Sequence, residues 1–251
     1  MPEGDALHRA AARLQPLVGD VVAAESPHPR GLLTGVAAAV DGLRLERVEA
    51  VGKNLLLSFE GGLVVRSHLR MNGRWVVRPV TDEPFGKPWL VLRGRSLQAI
   101  QRNGPVLELT RGRNRDVTRL GPDVMLDPPD LDAMIVRLRA TDQGCELGDA
   151  LLDQRLVAGI GNKWKAEGLF LARLSPWARL ADVSNEDLGR VLAETSSAMR
   201  EGRRGRTVYR ASGRRCPRCG GLVRSYPQGD NARMAYWCPA CQPGPLPTGS
   251  R

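Results

Sequence analysis

Apolar side chains recur at helical spacing near the start of the chain, at Leu7, Ala10, Ala11, Leu14 and Val18, the period that lays one face of a helix against a core. Pro2 suits a first helical turn, and Glu3 and Asp5 suit the positive end of a helix dipole. An amphipathic helix is therefore predicted from Pro2 to about Leu17. From Val21 to Leu109 the pattern changes to short β-rich runs punctuated by glycine: Leu43–Val48, Asn54–Phe59, Leu63–His68, Trp75–Arg78, Trp89–Arg93 and Val106–Leu109. Glu60-Gly61-Gly62 reads as a hairpin turn. Several short strands without intervening helices imply an antiparallel sandwich rather than a parallel sheet.

At Asp127-Pro128-Pro129-Asp130 paired prolines exclude both helix interior and sheet, and a domain boundary is placed there. Helical spacing dominates beyond it, over about Leu131–Leu138, Leu147–Leu156, Asn162–Leu171 and Ser184–Met199. The last opens on Ser184-x-x-Asp187, close to a capping box, and gathers Leu188, Val191, Leu192, Thr195 and Met199 on one face. An arginine-rich stretch from Gly202 to Arg215 leads into a cysteine-bearing module, and Pro243–Arg251 reads as a frayed tail. The fold class is α+β, in three parts: 1–127, 128–212 and 213–251.

With 251 residues and 42% hydrophobic side chains the chain can bury a core. The formal charge of +10 and isoelectric point near 10.1 come mostly from arginine, whose planar fork binds phosphate bidentately. A phosphate-rich partner follows. No apolar run reaches the roughly 18 to 20 residues a bilayer span needs, and Met1-Pro2-Glu3-Gly4-Asp5 lacks a basic segment followed by an apolar one. A cytosolic protein is expected. In that compartment thiols stay reduced, and Cys145 reads as a small buried hydrophobe.

Cys216-Pro-Arg-Cys219 and Cys238-Pro-Ala-Cys241 form two C-x-x-C pairs separated by 18 residues. Two such pairs reach one tetrahedral ion, and the arm between them closes as a β-hairpin, so one structural zinc is expected on Cys216, Cys219, Cys238 and Cys241. Four thiolates leave no open coordination position for catalysis. Arg233, in the arm, either holds a phosphate or is merely solvated, while Tyr236 and Trp237 brace the hairpin in the second case. Val157-Ala158-Gly159-Ile160-Gly161-Asn162 lies between two predicted helices. There glycines permit a reversal, Asn162 can cap the next helix, and the free N–H groups at its start attract phosphate; an ordinary helix connection is the commoner meaning.

In Ser67-His68-Leu69-Arg70-Met71-Asn72-Gly73 a long cation, a flexible apolar wedge and an amide come in succession, a set able to push into a base stack. Met71 as ordinary core is the commoner meaning of such a methionine, and His68 reads as a satisfied structural histidine. Lys53 starts a strand and is either solvated or a phosphate contact. Finally, removal of Met1 exposes the secondary amine of Pro2; an α-amine has a reference pKa of roughly 7.7 to 8.0, so part of it is unprotonated at neutral pH. Its attack on a sugar carbon gives a cationic iminium, an electron sink for elimination, and Glu3 stands ready to move protons. Taken alone, Pro2-Glu3 is more often just a helix start.

Together these pieces resemble the formamidopyrimidine-DNA glycosylase and endonuclease VIII family of bifunctional DNA repair enzymes. The matching text is Met1-Pro2-Glu3-Gly4, Gly52-Lys53-Asn54-Leu55-Leu56, Leu120-Gly121-Pro122-Asp123, Leu151-Leu152-Asp153-Gln154, Ala158-Gly159-Ile160-Gly161-Asn162, and Arg233 five residues before Cys238-Pro239-Ala240-Cys241-Gln242. Their order covers nearly the whole chain. The resemblance implies a two-domain clamp on damaged DNA, without membrane contact and acting as a monomer: an N-terminal helix plus antiparallel β-sandwich, then a helix-two-turn-helix domain with a zinc β-hairpin.

It further implies a base excision repair enzyme in which Pro2 is the nucleophile, Glu3 the acid/base and Lys53 an assistant near the backbone, with β,δ-elimination cutting the strand. Asn162 and Arg233 hold phosphates, Arg233 also assists δ-elimination, Arg119 contacts DNA, and Arg70, Met71 and Asn72 form the wedge; Glu167 is a support residue. Three wedge candidates in one loop, and a short run from Arg203 to Tyr209 that leaves little room for a base-capping loop, look more like the endonuclease VIII branch, which tilts the substrate towards oxidised pyrimidines. Asp5 and Ala6 depart from the proline and glutamate of many members. Two other classes remain open on residues alone: a DNA-binding or damage-sensing clamp without catalysis, and an RNA-binding zinc protein.

Overall fold

The computed structural model describes residues 2–112, 115–202 and 207–247. Met1, most of the run from Arg203 to Tyr209 and the last part of the expected tail lie outside the described residues. Two compact units divide between Arg119 and Leu120, upstream of the proline pair where the sequence suggests a boundary.

The first unit runs α1 (Gly4–Leu14), β1 (Ala23–Glu25), α2 (Pro29–Leu32), α3 (Val36–Val40), β2 (Leu45–Val51), β3 (Asn54–Phe59), β4 (Leu63–His68), β5 (Arg74–Pro79), β6 (Leu90–Arg93), β7 (Leu97–Arg102), β8 (Val106–Arg111) and α4 (Arg115–Thr118). A 3-10 turn, Gln15–Leu17, extends α1. Two four-stranded sheets form, in the orders β1-β6-β7-β5 and β2-β3-β4-β8, antiparallel at every pairing. Alternation along β3 sends Leu55, Leu57 and Phe59 into a core shared with Leu7 and Leu14 of α1, Trp75 of β5 and Leu90 and Leu92 of β6.

Strand β7 was not legible as a strand, and the reason is polar burial. Gln98 and Gln101 are fully buried, which blurs the apolar alternation. Their amide nitrogens are matched by backbone: Gln98 Nε2 donates to the Pro79 and Asp82 carbonyls and Gln101 Nε2 to the Gly104 carbonyl at 3.0 Å.

The second unit contains α5 (Leu131–Ala140), α6 (Leu147–Ala150), α7 (Asn162–Leu171), α8 (Asn185–Arg200) and a β-hairpin of β9 (Arg224–Gln228) and β10 (Arg233–Trp237). Ser184 caps α8, its hydroxyl accepting from Asp187 N at 3.0 Å. The core gathers Met134, Leu138, Trp164, Leu169, Val191 and Leu192. The helix expected to reach Leu156 stops at Ala150. Gln154 organises the chain beyond that point: its Nε2 donates to the Leu152 and Ile160 carbonyls, each at 2.9 Å, and its Oε1 accepts from Gly159 N at 3.1 Å. One side chain thus satisfies backbone groups that a helix would have used. No helix among the described residues is long and apolar enough to cross a membrane.

Candidate active site and metal centre

Pro2 is half-buried and stands outside the helix it was expected to start. The cap is Glu3, with extended backbone, and its carbonyl accepts from Ala6 N at 2.9 Å. Glu3 is only 2% exposed, a placement an acidic side chain rarely takes without a task. Lys53 lies in the two-residue turn Gly52-Lys53 between the paired residues Val51 and Asn54. Asn54 in turn faces His68 across β3 and β4, and its Oδ1 accepts from Arg66 Nη1 at 2.9 Å. Arg66 also binds Glu108 and Asp116.

His68 Nδ1 accepts from Arg70 N at 3.0 Å, which assigns the proton of the neutral ring to Nε2. Burial, reinforced by the charges of Arg70, Arg66 and Lys53, pushes the imidazole down to about 4. The ring is therefore neutral near pH 7, and the cations around it leave a field that attracts anions. Arg70 adopts φ 49°. Beside it Met71 is 56% exposed, so it is not the core residue that its type most often implies. Asn72 and Arg119 are exposed as well.

In the second unit the turn before α7 reverses at Gly159, at φ 100°, where a side chain would be strained. The N-cap is Gly161, which corrects the expectation that Asn162 caps the helix. Asn162 is its first residue and donates through Nδ2 to the Met234 carbonyl at 2.9 Å. It is thereby tied to the strand that begins at Arg233. Arg233 is exposed and pairs in register with Gln228.

Sequence reasoning missed the network beneath that pair. Gln228, 3% exposed, donates to Glu146 Oε2 at 2.9 Å and to the Pro176 carbonyl at 2.8 Å, while its Oε1 accepts from Lys165 Nζ at 3.1 Å. Lys165 is 1% exposed. Glu167 is buried on the same helix and accepts from the backbone N–H groups of Thr207, Val208 and Tyr209. The available signal was α7 itself: every residue from Trp164 to Phe170 is buried, so charges within it need partners.

The thiols of Cys216, Cys219, Cys238 and Cys241 come together, with all four sulfurs within 4.8 Å of one another. Cys216 and Cys241 Sγ are 3.8 Å apart and Cys219 and Cys238 Sγ 3.5 Å. A tetrahedral ion with Zn–S bonds of about 2.3 Å needs sulfurs about 3.8 Å apart, so the donor set fits a structural metal site. Aromatic rings brace the hairpin: Trp237 meets Trp177 edge-on with centroids 5.3 Å apart, and Tyr236 meets Tyr209 at 5.4 Å.

Comparison with known proteins gives consistent matches. Residues 1–100 match the formamidopyrimidine-DNA glycosylase N-terminal domain, and residues 120–211 match the formamidopyrimidine-DNA glycosylase H2TH domain. A Streptomyces coelicolor protein named probable endonuclease 8 2 is 37% identical, over 98% of this chain and 96% of its own. The DNA-(apurinic or apyrimidinic site) lyase Nei2 of Mycolicibacterium smegmatis is 32% identical, over 96% of this chain and 99% of its own. The solved complex between Lactococcus lactis Fpg and an abasic-site-containing DNA shares the fold, with a TM-score of 0.79 at 21% identity over 97% of this chain and 100% of that one.

Proposed function

Because the chain belongs to the formamidopyrimidine-DNA glycosylase and endonuclease VIII family, and so is a DNA glycosylase with lyase activity at apurinic or apyrimidinic sites in base excision repair, we propose that Pro2 carries its chemistry. After loss of Met1 the Pro2 nitrogen attacks C1' of a flipped nucleotide. The damaged base leaves with a proton, and opening of the sugar ring gives an iminium whose cationic nitrogen draws electrons from C2'. Loss of the C2' proton expels the 3' phosphate, and a second elimination expels the 5' phosphate. Hydrolysis then frees Pro2.

The observation that carries this reading is the burial of Glu3 beside that amine, because a carboxylate held out of water is poised to move the protons these steps require. Lys53 and the neutral His68 lie in the cationic strand ends of the same unit and suit backbone phosphates. Arg70, Met71 and Asn72 form the wedge; the exposure of Met71 supports that role. Asn162 keeps a second amide N–H for a phosphate beside Arg233, which assists δ-elimination, and Arg119 adds a backbone contact. The substrate is an oxidised base, with the three-residue wedge favouring pyrimidines. Zinc is the ion held by the four cysteines, and it holds the hairpin rather than reacting.

In this reading residues 1–127 carry catalysis, 128–212 dock DNA and 213–251 form the metal module, within a monomer that works on chromosomal DNA in the cytoplasm. Borohydride added to protein and an abasic or thymine-glycol duplex traps the iminium as a covalent adduct. The adduct disappears when an uncleaved residue ahead of Pro2 turns its nitrogen into an amide; equal trapping by that blocked protein refutes the assignment. Mass spectrometry that finds Met1 retained does the same.

A further inference from the structure

The outer face of the sheet β1-β6-β7-β5 carries charge that the chemistry above does not use. Arg74 and Arg102 stand directly opposite each other on β5 and β7. With Arg78, Glu83 and Phe85 they line a cavity of ≈ 270 Å³ floored by Val76 and Ile100. Like charges paired across a ladder destabilise it. Yet among the described residues none of the three arginines forms an ion pair, and Glu83 is the one carboxylate in the lining.

Burial, followed by the charges of Arg74 and Arg78, holds the Arg102 guanidinium below its ordinary value. Phe85 is 87% exposed and lies under Arg102, 5.9 Å from the ring centroid to Cζ. The cavity wall is fixed rather than accidental, since the fully buried Gln98 pins the start of the loop through the Pro79 and Asp82 carbonyls.

Uncompensated guanidinium groups beside an exposed aromatic ring form the combination that holds single-stranded nucleic acid: cations for the backbone and a face for a base. Arg74 and Arg78 are four residues apart on β5, a row about 13 Å long, which suits successive phosphates of a strand better than the single ester of a free nucleotide. We propose that this cavity is a second nucleic-acid contact, in which Arg74, Arg102 and Arg78 hold phosphates of a single strand and Phe85 stacks one of its bases.

The test titrates the metal-loaded full chain with an undamaged, fluorescently labelled oligothymidylate over a range of salt concentrations. Arg78→Ala should weaken binding and lower the salt slope by roughly 0.7, whereas Arg78→Lys should keep the slope. Phe85→Ala should cost roughly tenfold in affinity with the slope unchanged. Thermal unfolding of each variant checks that the fold survives. Affinity and slope equal to wild type in both Arg78→Ala and Phe85→Ala overturn the proposal, as does competition by thymidine monophosphate or inorganic phosphate as effective as that by the oligonucleotide. The probe carries no lesion, so borohydride trapping on an abasic duplex reports separately on the glycosylase reading: loss of trapping in wild type leaves this contact standing.

Discussion

Glu3 and His68 are each held away from water, and each placement has a measurable outcome. A buried carboxylate that shuttles protons contributes about 10²- to 10⁴-fold, so Glu3→Gln should slow base removal from a lesion duplex by at least about 100-fold in single-turnover assays. The protein should remain folded, because the cap is made by the Glu3 backbone carbonyl. For His68 the folded value of about 4 lies below the ordinary 6.5. The unfolded chain therefore takes up a proton first as pH falls, and the stability present above pH 6.5 is lost between 6.5 and about 4. An NMR titration of the imidazole should place its midpoint near 4, and Arg70→Ala or bound DNA should raise it, because each reduces the cationic field at the ring. Both groups belong to residue types and positions that sequence can name. What sequence could not give is which of them is buried, since burial is decided by strands distant along the chain.

At the level of elements, patterning was readable wherever packing and periodicity agree. The bounds of β3, β4 and α7 follow from their sequences alone, and Ser184-x-x-Asp187 marks the start of α8. Patterning failed where buried side-chain amides break the apolar rhythm or take over backbone hydrogen bonding: Gln98 and Gln101 hide β7, and Gln154 ends the helical course after α6. Ser184→Ala should cost about 1 kcal/mol in urea unfolding, the usual loss of a serine cap. The hairpin depends on a fourth amide. Gln228→Leu removes at once the buried hydrogen bonds to Lys165, Glu146 and the Pro176 carbonyl and should cost roughly 2 kcal/mol. Because Gln228 is the register partner of Arg233, the same variant should weaken the contribution of Arg233 to DNA binding.

For the whole molecule, the cationic excess of +10 makes affinity for DNA steeply salt-dependent. Arg233→Ala should reduce the slope of log K against log salt by about one unit if it meets a phosphate; an unchanged slope leaves that arginine merely solvated. Each compact unit has its own core, so the metal module should be separable in its stability from the β-sandwich. The packing of Trp237 against Trp177, one residue before Cys238, makes this observable. All five tryptophans are buried, at 9% exposure or less, so the intact protein should emit at short wavelength. Stripping the ion with a chelator should release Trp237 into water, and the emission should shift to the red in step with metal loss, giving the protein a built-in optical gauge of whether its hairpin is loaded.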